Sequence, residues 1–416
     1  MKRERVVAAV GVLTAVLALF PAPASSQLIL GQYQVEAPLR TWNTFPFSAA
    51  AALGRGGGAF TLASDASAAT SNPALLTGLP KFQFHVNGSY HVTELFKYGP
   101  VNTGVLRTDG NIGLRLAELD FVGLAFRLDG WSFALNVSQA ERFDRPEASY
   151  EETYSNSSYK YLLRFTQTGW LRTFNFSVGR RIGPRLSVGI GLNYVSGRLA
   201  GEMLEQETPT GYTLLDKKSQ DLDGFYVQGG LLFEISDAFK TAIVLRTPYS
   251  MRTKNNSTVR FTYTPSADTD IGLTTSSEDT ARQPLILGFG LSCRVLPEWT
   301  LAVDATYVTW SKYALDYFGE RQTREFRDIV RISAGAEYGT TARIFGVSVQ
   351  VPLRIGFIYD PQPMKDPRSA YACFTFGNGV YWRRLRLDMG ALLGRESGSG
   401  NRLAVKRFAV SLGFSL

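Results

Sequence analysis

Two histidines and a serine are the residues of this chain with the clearest catalytic potential. His85, Ser89 and His91 fall on one polar face of a predicted strand, together with Gln83 and Asn87. A histidine beside a serine hydroxyl can act as the general base of a nucleophilic hydrolase. Whether these side chains can meet a substrate depends on the side of the sheet that they face.

Two arginines are candidates for binding an acidic ligand. Arg331 and Arg354 lie on the polar faces of their predicted strands, and a guanidinium group can hold a carboxylate through two hydrogen bonds. Asp304, Glu337 and Asp388 also lie on polar strand faces. We favour the alternative in which each arginine pairs with an acidic residue of the protein, and we keep both arginines as candidate ligand-binding residues.

The glycine-rich stretch and the cysteines point to no cofactor. Residues 54–60 lack the preceding buried strand and the Lys-Ser/Thr pair of a nucleotide-binding phosphate loop. Cys293 and Cys373 form no metal-binding cluster, and the strand face of Cys293 predicts contact with lipid. We therefore favour two unpaired thiols over a disulfide between them, and we predict no metal and no cofactor.

The elements that position these residues are strands with two different faces. In residues 185–196 apolar side chains alternate with small or polar ones, and residues 403–416 repeat the pattern. Successive side chains of a strand point to opposite faces of the sheet. Fourteen strands are predicted, at about 82–91, 121–128, 131–139, 172–182, 185–199, 223–235, 239–250, 285–296, 299–309, 327–338, 343–358, 371–381, 384–393 and 403–416.

The connections between these strands alternate in length. Tight turns are predicted at Asp129-Gly130, Gly183-Pro184, 236–238 and Pro297-Glu298. The other links are predicted to be long polar loops, at about 140–171, 200–222, 251–284, 310–326, 359–370 and 394–402. An even number of strands with short turns on one side and long loops on the other is typical of outer-membrane barrels. The polar face of the first strand then points into the lumen, whereas barrel lipases place such groups at the lipid face, so we predict no catalytic residue.

The leader and the composition agree with an exported membrane barrel. Residues 1–24 combine basic residues, an apolar run and small residues at the cleavage spacing, which predicts a secretory signal peptide. Aromatic residues make up 12% of the chain and recur at predicted strand ends, as in the interfacial girdles of barrels. The formal net charge is +8, but no basic run is long enough to indicate nucleic acid binding.

The residues before the first strand do not alternate and need another location. Residues 56–60 are rich in glycine, residues 65–69 are small, and Asn72-Pro73 is a turn signal. Such a segment suits packing inside a narrow lumen. We predict an N-terminal extension and hatch over residues 25–80 and a barrel over residues 81–416, with these hatch residues: Gly56, Gly57, Gly58, Asp65, Asn72, Pro73 and Ala74.

Several short stretches of the sequence resemble a known family. Residues 56–60, 65–69 and 72–75 are similar to the N-terminal hatch of the FadL-type transporters, which carry long-chain fatty acids and hydrocarbons across the outer membranes of Gram-negative bacteria. Three further stretches resemble that family: 286–311, which ends in Trp310-Ser311, 353–360 and 385–391. The chain departs from the pattern in ending at Leu416, where phenylalanine is usual, and in the long stretch 27–52.

The resemblance implies an all-β, 14-stranded antiparallel transmembrane barrel with an N-terminal hatch inside the lumen. It also implies a monomer in the bacterial outer membrane, in contact with its lipids, that captures hydrophobic small molecules at its loops and releases them sideways through the wall. Besides the two arginines, we predict these ligand-binding residues: Met203, Leu204, Tyr212, Leu214, Leu215, Phe261 and Tyr263. Two alternatives stay open, a non-transporting scaffold or secretion-accessory barrel and a general porin.

Overall fold

The structure is a computed structural model that describes most of the chain after residue 48. The described residues are 49–62, 65–97, 101–102, 106–108, 111–153, 160–208, 210–263, 269–322, 325–366, 368–400 and 402–416. The predicted signal peptide and most of the predicted extension lie outside them. Within the described ranges, no helix is long and apolar enough to cross a membrane.

Helical structure is confined to short pieces. The α-helices are α1 (Ala50–Arg55) and α2 (Ala68–Ser71), and 3-10 helices cover Pro73–Gly78 and Trp310–Lys312.

Strands make up nearly all the rest. They are β1 (Phe82–Lys97), β2 (Val101–Asn102), β3 (Leu106–Thr108), β4 (Asn111–Leu128), β5 (Trp131–Arg142), β6 (Arg145–Thr153), β7 (Lys160–Ile182), β8 (Leu186–Thr208), β9 (Tyr212–Glu234), β10 (Phe239–Arg246), β11 (Tyr249–Tyr263), β12 (Thr269–Gln283), β13 (Ile286–Arg294), β14 (Trp299–Val308), β15 (Ala314–Tyr317), β16 (Glu320–Gln322), β17 (Ile329–Ile344), β18 (Val347–Pro361), β19 (Ala370–Trp382), β20 (Leu385–Ser397) and β21 (Ala404–Ser415).

The sheet closes on itself. Antiparallel pairing runs from β1 through β4, β5, β7, β8, β9, β10, β13, β14, β17, β18, β19, β20 and β21, and β21 pairs with β1 again, as Phe84 with Phe414. The remaining strands lie outside this closed circuit, and β11 and β12 continue β10 and β13 beyond Pro248 and Pro284. The predicted 14-stranded antiparallel barrel is confirmed. Closure satisfies the backbone hydrogen bonds that a bilayer cannot.

The predicted long loops are partly wrong. Four of them, 140–171, 200–222, 251–284 and 310–326, hold strands in the structure, and β7, β8 and β9 reach 23 residues each. A strand needs about 9–11 residues to cross a bilayer, so these hairpins continue well beyond it as a sheet. Their polar sequences gave no lipid-facing pattern, because outside the bilayer the strands are held by pairing with each other and not by burial in lipid. Phe345, predicted inside a strand, is fully exposed in a turn with φ 49°.

The two faces of the barrel differ as the alternation predicts. Large apolar side chains such as Ile190, Leu353 and Leu412 are exposed on the outer face, where lipid would contact them. The inner face is polar and buried. The cysteines lie on different strands, and both are free thiols, as predicted; Cys373 is buried and Cys293 is partly exposed.

Candidate functional site

Residues 49–62 and 65–79, which we call the hatch segment, pack against the polar inner face of the wall. Helix α1 contacts β17 to β21, and the 3-10 helix Pro73–Gly78 contacts β5 and β7 to β9. Leu53, Phe60 and Leu76 are almost completely buried. The segment therefore lies in the lumen, and all seven predicted hatch residues fall within it.

Glycines let the hatch segment turn tightly beside the wall. Helix α1 ends at Gly56, which has φ 73° and donates its backbone N–H to Ala52 O and Leu53 O. Gly58 also has a positive φ, 77°. Only glycine adopts these angles without strain.

The wall carries matching glycines, which the sequence reasoning missed. Gly179, Gly189 and Gly230 are paired directly across β7, β8 and β9, and we call them the glycine row. A Cβ atom on Gly189 would lie 2.4 Å from the carbonyl carbon of Pro73, and one on Gly230 would lie 2.0 Å from Asn72 Oδ1. At these positions the hatch segment therefore approaches the wall more closely than a wall residue other than glycine would allow, with backbone atoms of Pro73 at Gly189 and the Asn72 side chain at Gly230. Inward-facing glycines on adjacent strands were the signal available in the sequence.

A second group of glycines receives helix α1. Gly335 and Gly356 are paired across β17 and β18, and a Cβ atom on either would lie within about 2 Å of Arg55 O. Gly377 and Gly390, paired across β19 and β20, make similar approaches to Gly54 and Ala50.

Buried polar contacts fix the hatch segment in register. Asn72 Oδ1 accepts the backbone N–H of Ala74 at 3.0 Å, and Asn72 Nδ2 donates to Phe60 O at 2.8 Å. Gln228 of the wall donates to Ser71 O at 2.8 Å, and Asp304 accepts the backbone N–H of Ala59 at 2.7 Å. Asp65 Oδ1 accepts the backbone N–H of Ser67 at 2.9 Å and lies 3.7 Å from His85 Nε2.

The predicted arginine sites are internal charge networks. Arg354 donates to Glu337 Oε2 and Asp388 Oδ1, both at 2.7 Å, and to the Tyr381 hydroxyl at 2.6 Å. Arg55 of the hatch segment joins the same network, with Nη1 3.0 Å from Glu337 Oε2.

Arg331 is also buried in the wall. Its electrostatic partners include Asp360 and Asp304. Both arginines thus have acidic partners in the protein, as the alternative that we favoured predicts.

The histidine and serine cluster is likewise a wall network. His91 Nε2 lies 2.8 Å from Glu118 Oε1 and 2.6 Å from Ser89 Oγ, while Ser89 donates to Asp120 Oδ1 at 2.9 Å. His91, Glu118 and Asp120 are the group in the described part of the chain whose atoms could together hold a metal ion. Arg407 already supplies a positive charge 2.9 Å from Asp120 Oδ2. We read the cluster as charge pairing and assign no metal to it.

Most of the predicted ligand-binding residues meet on one surface. In the sheet beyond the bilayer, the inward-facing parity continues through Met203, Glu205, Tyr212, Leu214, Phe261 and Tyr263, which we call the outer platform. Glu205, Leu214 and Phe261 are direct neighbours across three strands, and the rings of Tyr212 and Phe261 lie 5.0 Å apart. Leu204 and Leu215 pair with each other on the opposite face.

The outer platform includes a carboxyl group with a perturbed pKa. Burial raises the pKa of Glu205, and the neighbouring charge of Glu207 adds to this, whereas a hydrogen bond with Tyr161 lowers it in part. Burial and Glu205 together raise the pKa of the Tyr161 hydroxyl. The acid of the platform is thus held next to apolar side chains.

An apolar cluster lies between the outer platform and the hatch segment. Its members come from β7, β8, β9, β11, β12 and β15 and from the connection between β5 and β6; they are Phe143, Leu171, Val195, Leu199, Leu222, Tyr226, Met251, Ala281 and Leu315. Sequence reasoning missed them because several lie in segments that it assigned to loops.

The lipid face of the wall has a cavity of about 530 Å³. Apolar residues of β1, β4, β5, β7, β8 and β9 line it, among them Phe84, Leu135 and Phe176. It also reaches Gly123 and the inward-facing Asn136, and on the inner side the Phe121 ring and the Asn136 Cβ atom fill the space that a Gly123 side chain would take.

Most of the chain matches a known protein family. A family model described as outer membrane protein transport protein (OMPP1/FadL/TodX) matches residues 46–372. No curated protein matches the chain.

Solved structures with a similar fold include three transport proteins. The toluene transporter TbuX of Ralstonia pickettii is 14% identical, with a TM-score of 0.59 over 89% of this chain and 98% of that one. A FadL homologue of Pseudomonas aeruginosa is 15% identical, with a TM-score of 0.60 and coverages of 88% and 98%. The toluene transporter TodX of Pseudomonas putida is 15% identical, with a TM-score of 0.57 and coverages of 87% and 96%. At these identities the likeness concerns the fold alone.

Proposed function

The chain belongs to the outer membrane protein transport family of OMPP1, FadL and TodX, and we propose that it carries long-chain fatty acids or related hydrocarbons through a plugged barrel. The outer platform captures the hydrophobic compound, the hatch segment closes the lumen, and the compound leaves sideways through the wall. The protein works as a transport channel of the outer membrane and not as an enzyme.

The observation that carries this proposal is the seating of the hatch segment. Glycines on six wall strands receive its backbone, Gly230 on a seventh strand faces the Asn72 side chain, and hydrogen bonds to the wall hold the segment in register. A general porin needs a water-filled lumen, so a lumen occupied by a fitted segment favours selective passage.

The apolar surfaces form a sequence of sites along the barrel. The outer platform leads inward to the apolar cluster around Leu199, Leu222 and Met251. The apolar lining of the lipid-face cavity beside Gly123 makes it the candidate exit into the bilayer, closed on the lumen side by the Phe121 ring. Apolar solutes passing this way avoid the charged surface of the outer leaflet.

Uptake measurements test the proposal. Cells with and without the gene are given a labelled long-chain fatty acid and, separately, a labelled alkylbenzene. We expect faster uptake of at least one compound when the protein is present. Equal uptake of both compounds, with and without the gene, would contradict transport and favour the scaffold alternative.

A matched pair of variants tests the capture site. Leu214→Ala removes an apolar side chain from the outer platform, whereas Leu215→Ala changes the next residue, on the opposite face. Loss of one buried leucine contact costs about 1.5–3 kcal/mol, so we expect Leu214→Ala to weaken capture about tenfold or more and Leu215→Ala to leave it nearly unchanged.

A further inference from the structure

The outer platform has a charge pattern that bears on which hydrophobic compounds it accepts. Of the described side chains on its face, Glu205 and Asp216 are buried acids, and Glu207 lies next to Tyr212. Leu214 and Phe261 continue the row of Glu205 across the sheet. A compound lying on these apolar side chains would have one end beside the Glu205 carboxyl group.

The positive charges of the same strands lie elsewhere. Arg164, Lys217 and Arg260 alternate onto the opposite face. Lys218 shares the face of the platform but binds Asp216, with Nζ 2.8 Å from Oδ2. A ligand carboxylate on the platform would therefore lie beside the Glu205 carboxyl group. In the described part of the chain, no lysine or arginine pairs directly with Glu205 across the sheet.

The surroundings of the Glu205 carboxyl group favour a hydrogen-bond donor on the ligand. Glu205 is only 6% exposed, so a second negative charge beside it would be poorly screened by water. Its hydrogen bond with Tyr161 leaves acceptor capacity, because an ionised carboxylate has about four acceptor positions. A hydroxyl group on the ligand could donate to one of them.

We propose that Glu205 is a specificity-determining residue, which makes the outer platform favour neutral hydrophobic compounds with a hydroxyl group, such as alkylphenols or long-chain alcohols, over carboxylates. This inference rests on the proposed function and narrows its substrate class. Fatty acid anions would then be the poorer substrates at this first site.

Three probes that share a hexyl chain and a benzene ring test the proposal on the purified full-length protein in detergent. They are hexylbenzene, 4-hexylphenol and 4-hexylbenzoate, with binding measured by calorimetry at neutral pH. We expect 4-hexylphenol to bind at least about fivefold more tightly than 4-hexylbenzoate. In Glu205→Gln the benzoate should gain about five- to tenfold, while hexylbenzene is unchanged and so reports an intact platform.

The control removes the same charge from the same strand. Glu202→Gln lies on the opposite face, where Glu202 pairs with Lys217 at 3.2 Å, and it should not alter the preference. Equal binding of 4-hexylphenol and 4-hexylbenzoate to the unmodified protein would overturn the assignment of Glu205. An equal gain in 4-hexylbenzoate binding in both variants would overturn it too. In either case, binding of hexylbenzene would still support the capture site. Failure of all three probes to bind would overturn the capture site together with the inference.

Discussion

Two adjacent glycines in β9 give a sharp test of the seating of the hatch segment. A Cβ atom on Gly230 would lie 2.0 Å from Asn72 Oδ1, whereas one on Gly229 would have nothing within 4 Å. Gly230→Ala and Gly229→Ala therefore make the same change one residue apart, on opposite faces of the wall. Only the first should disturb the hatch segment.

The size of the effect follows from the contacts of Asn72. Real Cβ contacts essentially never fall below 3.0 Å, so the carboxamide must move by about 1 Å, and overpacking of this kind costs about 1–3 kcal/mol. The movement also weakens its hydrogen bonds to Ala74 N and Phe60 O, at about 1 kcal/mol each. A total near 3–5 kcal/mol raises the displaced population of the segment by about 100-fold or more.

Conductance of the purified protein in planar bilayers measures that population. We expect Gly230→Ala to show frequent opening events, and Gly229→Ala to behave like the unmodified protein. Adding Asn72→Ala to Gly230→Ala removes the clash. The opening events of the double variant should therefore be fewer than the sum of the two single effects predicts. Identical conductance of the two glycine variants would refute the close-packing argument.

Three further outcomes are expected. Arg354→Met leaves the buried Asp388 without its cation and Glu337 with Arg55 alone, so the barrel should lose about 3–5 kcal/mol of unfolding free energy, measured by urea titration in detergent; unchanged stability would contradict the network. Burial raises the pKa of Asp279, but hydrogen bonds from Ser277, Asn255 and the backbone of the 318–319 turn outweigh it and hold that pKa below 3.8. The attachment of that turn should therefore be complete above about pH 4 and be lost as pH falls through the lowered pKa, seen as faster amide exchange, and Asp279→Asn should remove this pH dependence. Cys373 should resist a thiol reagent in the folded protein and react on unfolding, because it is fully buried; immediate reaction would contradict its inward position.

Several features were predictable because they depend on neighbours in the sequence. Alternating faces follow from the two-residue period of a strand, and the Asp129-Gly130 turn follows from the positive φ angles of 48° and 79° that such a pair adopts readily. The candidate arginines were placed correctly on inner faces by the same parity. The acids Glu337 and Asp388, which pair with Arg354, also fall on the polar strand faces that the alternation predicts.

The sequence by itself determined an alternating, lipid-facing barrel with a small-residue segment ahead of it. It could not determine which residues meet across the barrel, because strand register depends on closure of the whole sheet. Register alone places Gly179, Gly189 and Gly230 in one row behind Asn72 and Pro73. Register also puts Leu214 on the outer platform and Leu215 behind it, and joins Arg55 to Arg354 through Glu337. Contacts between residues hundreds of positions apart have no local signature, so only the tertiary structure decided how the lumen is filled.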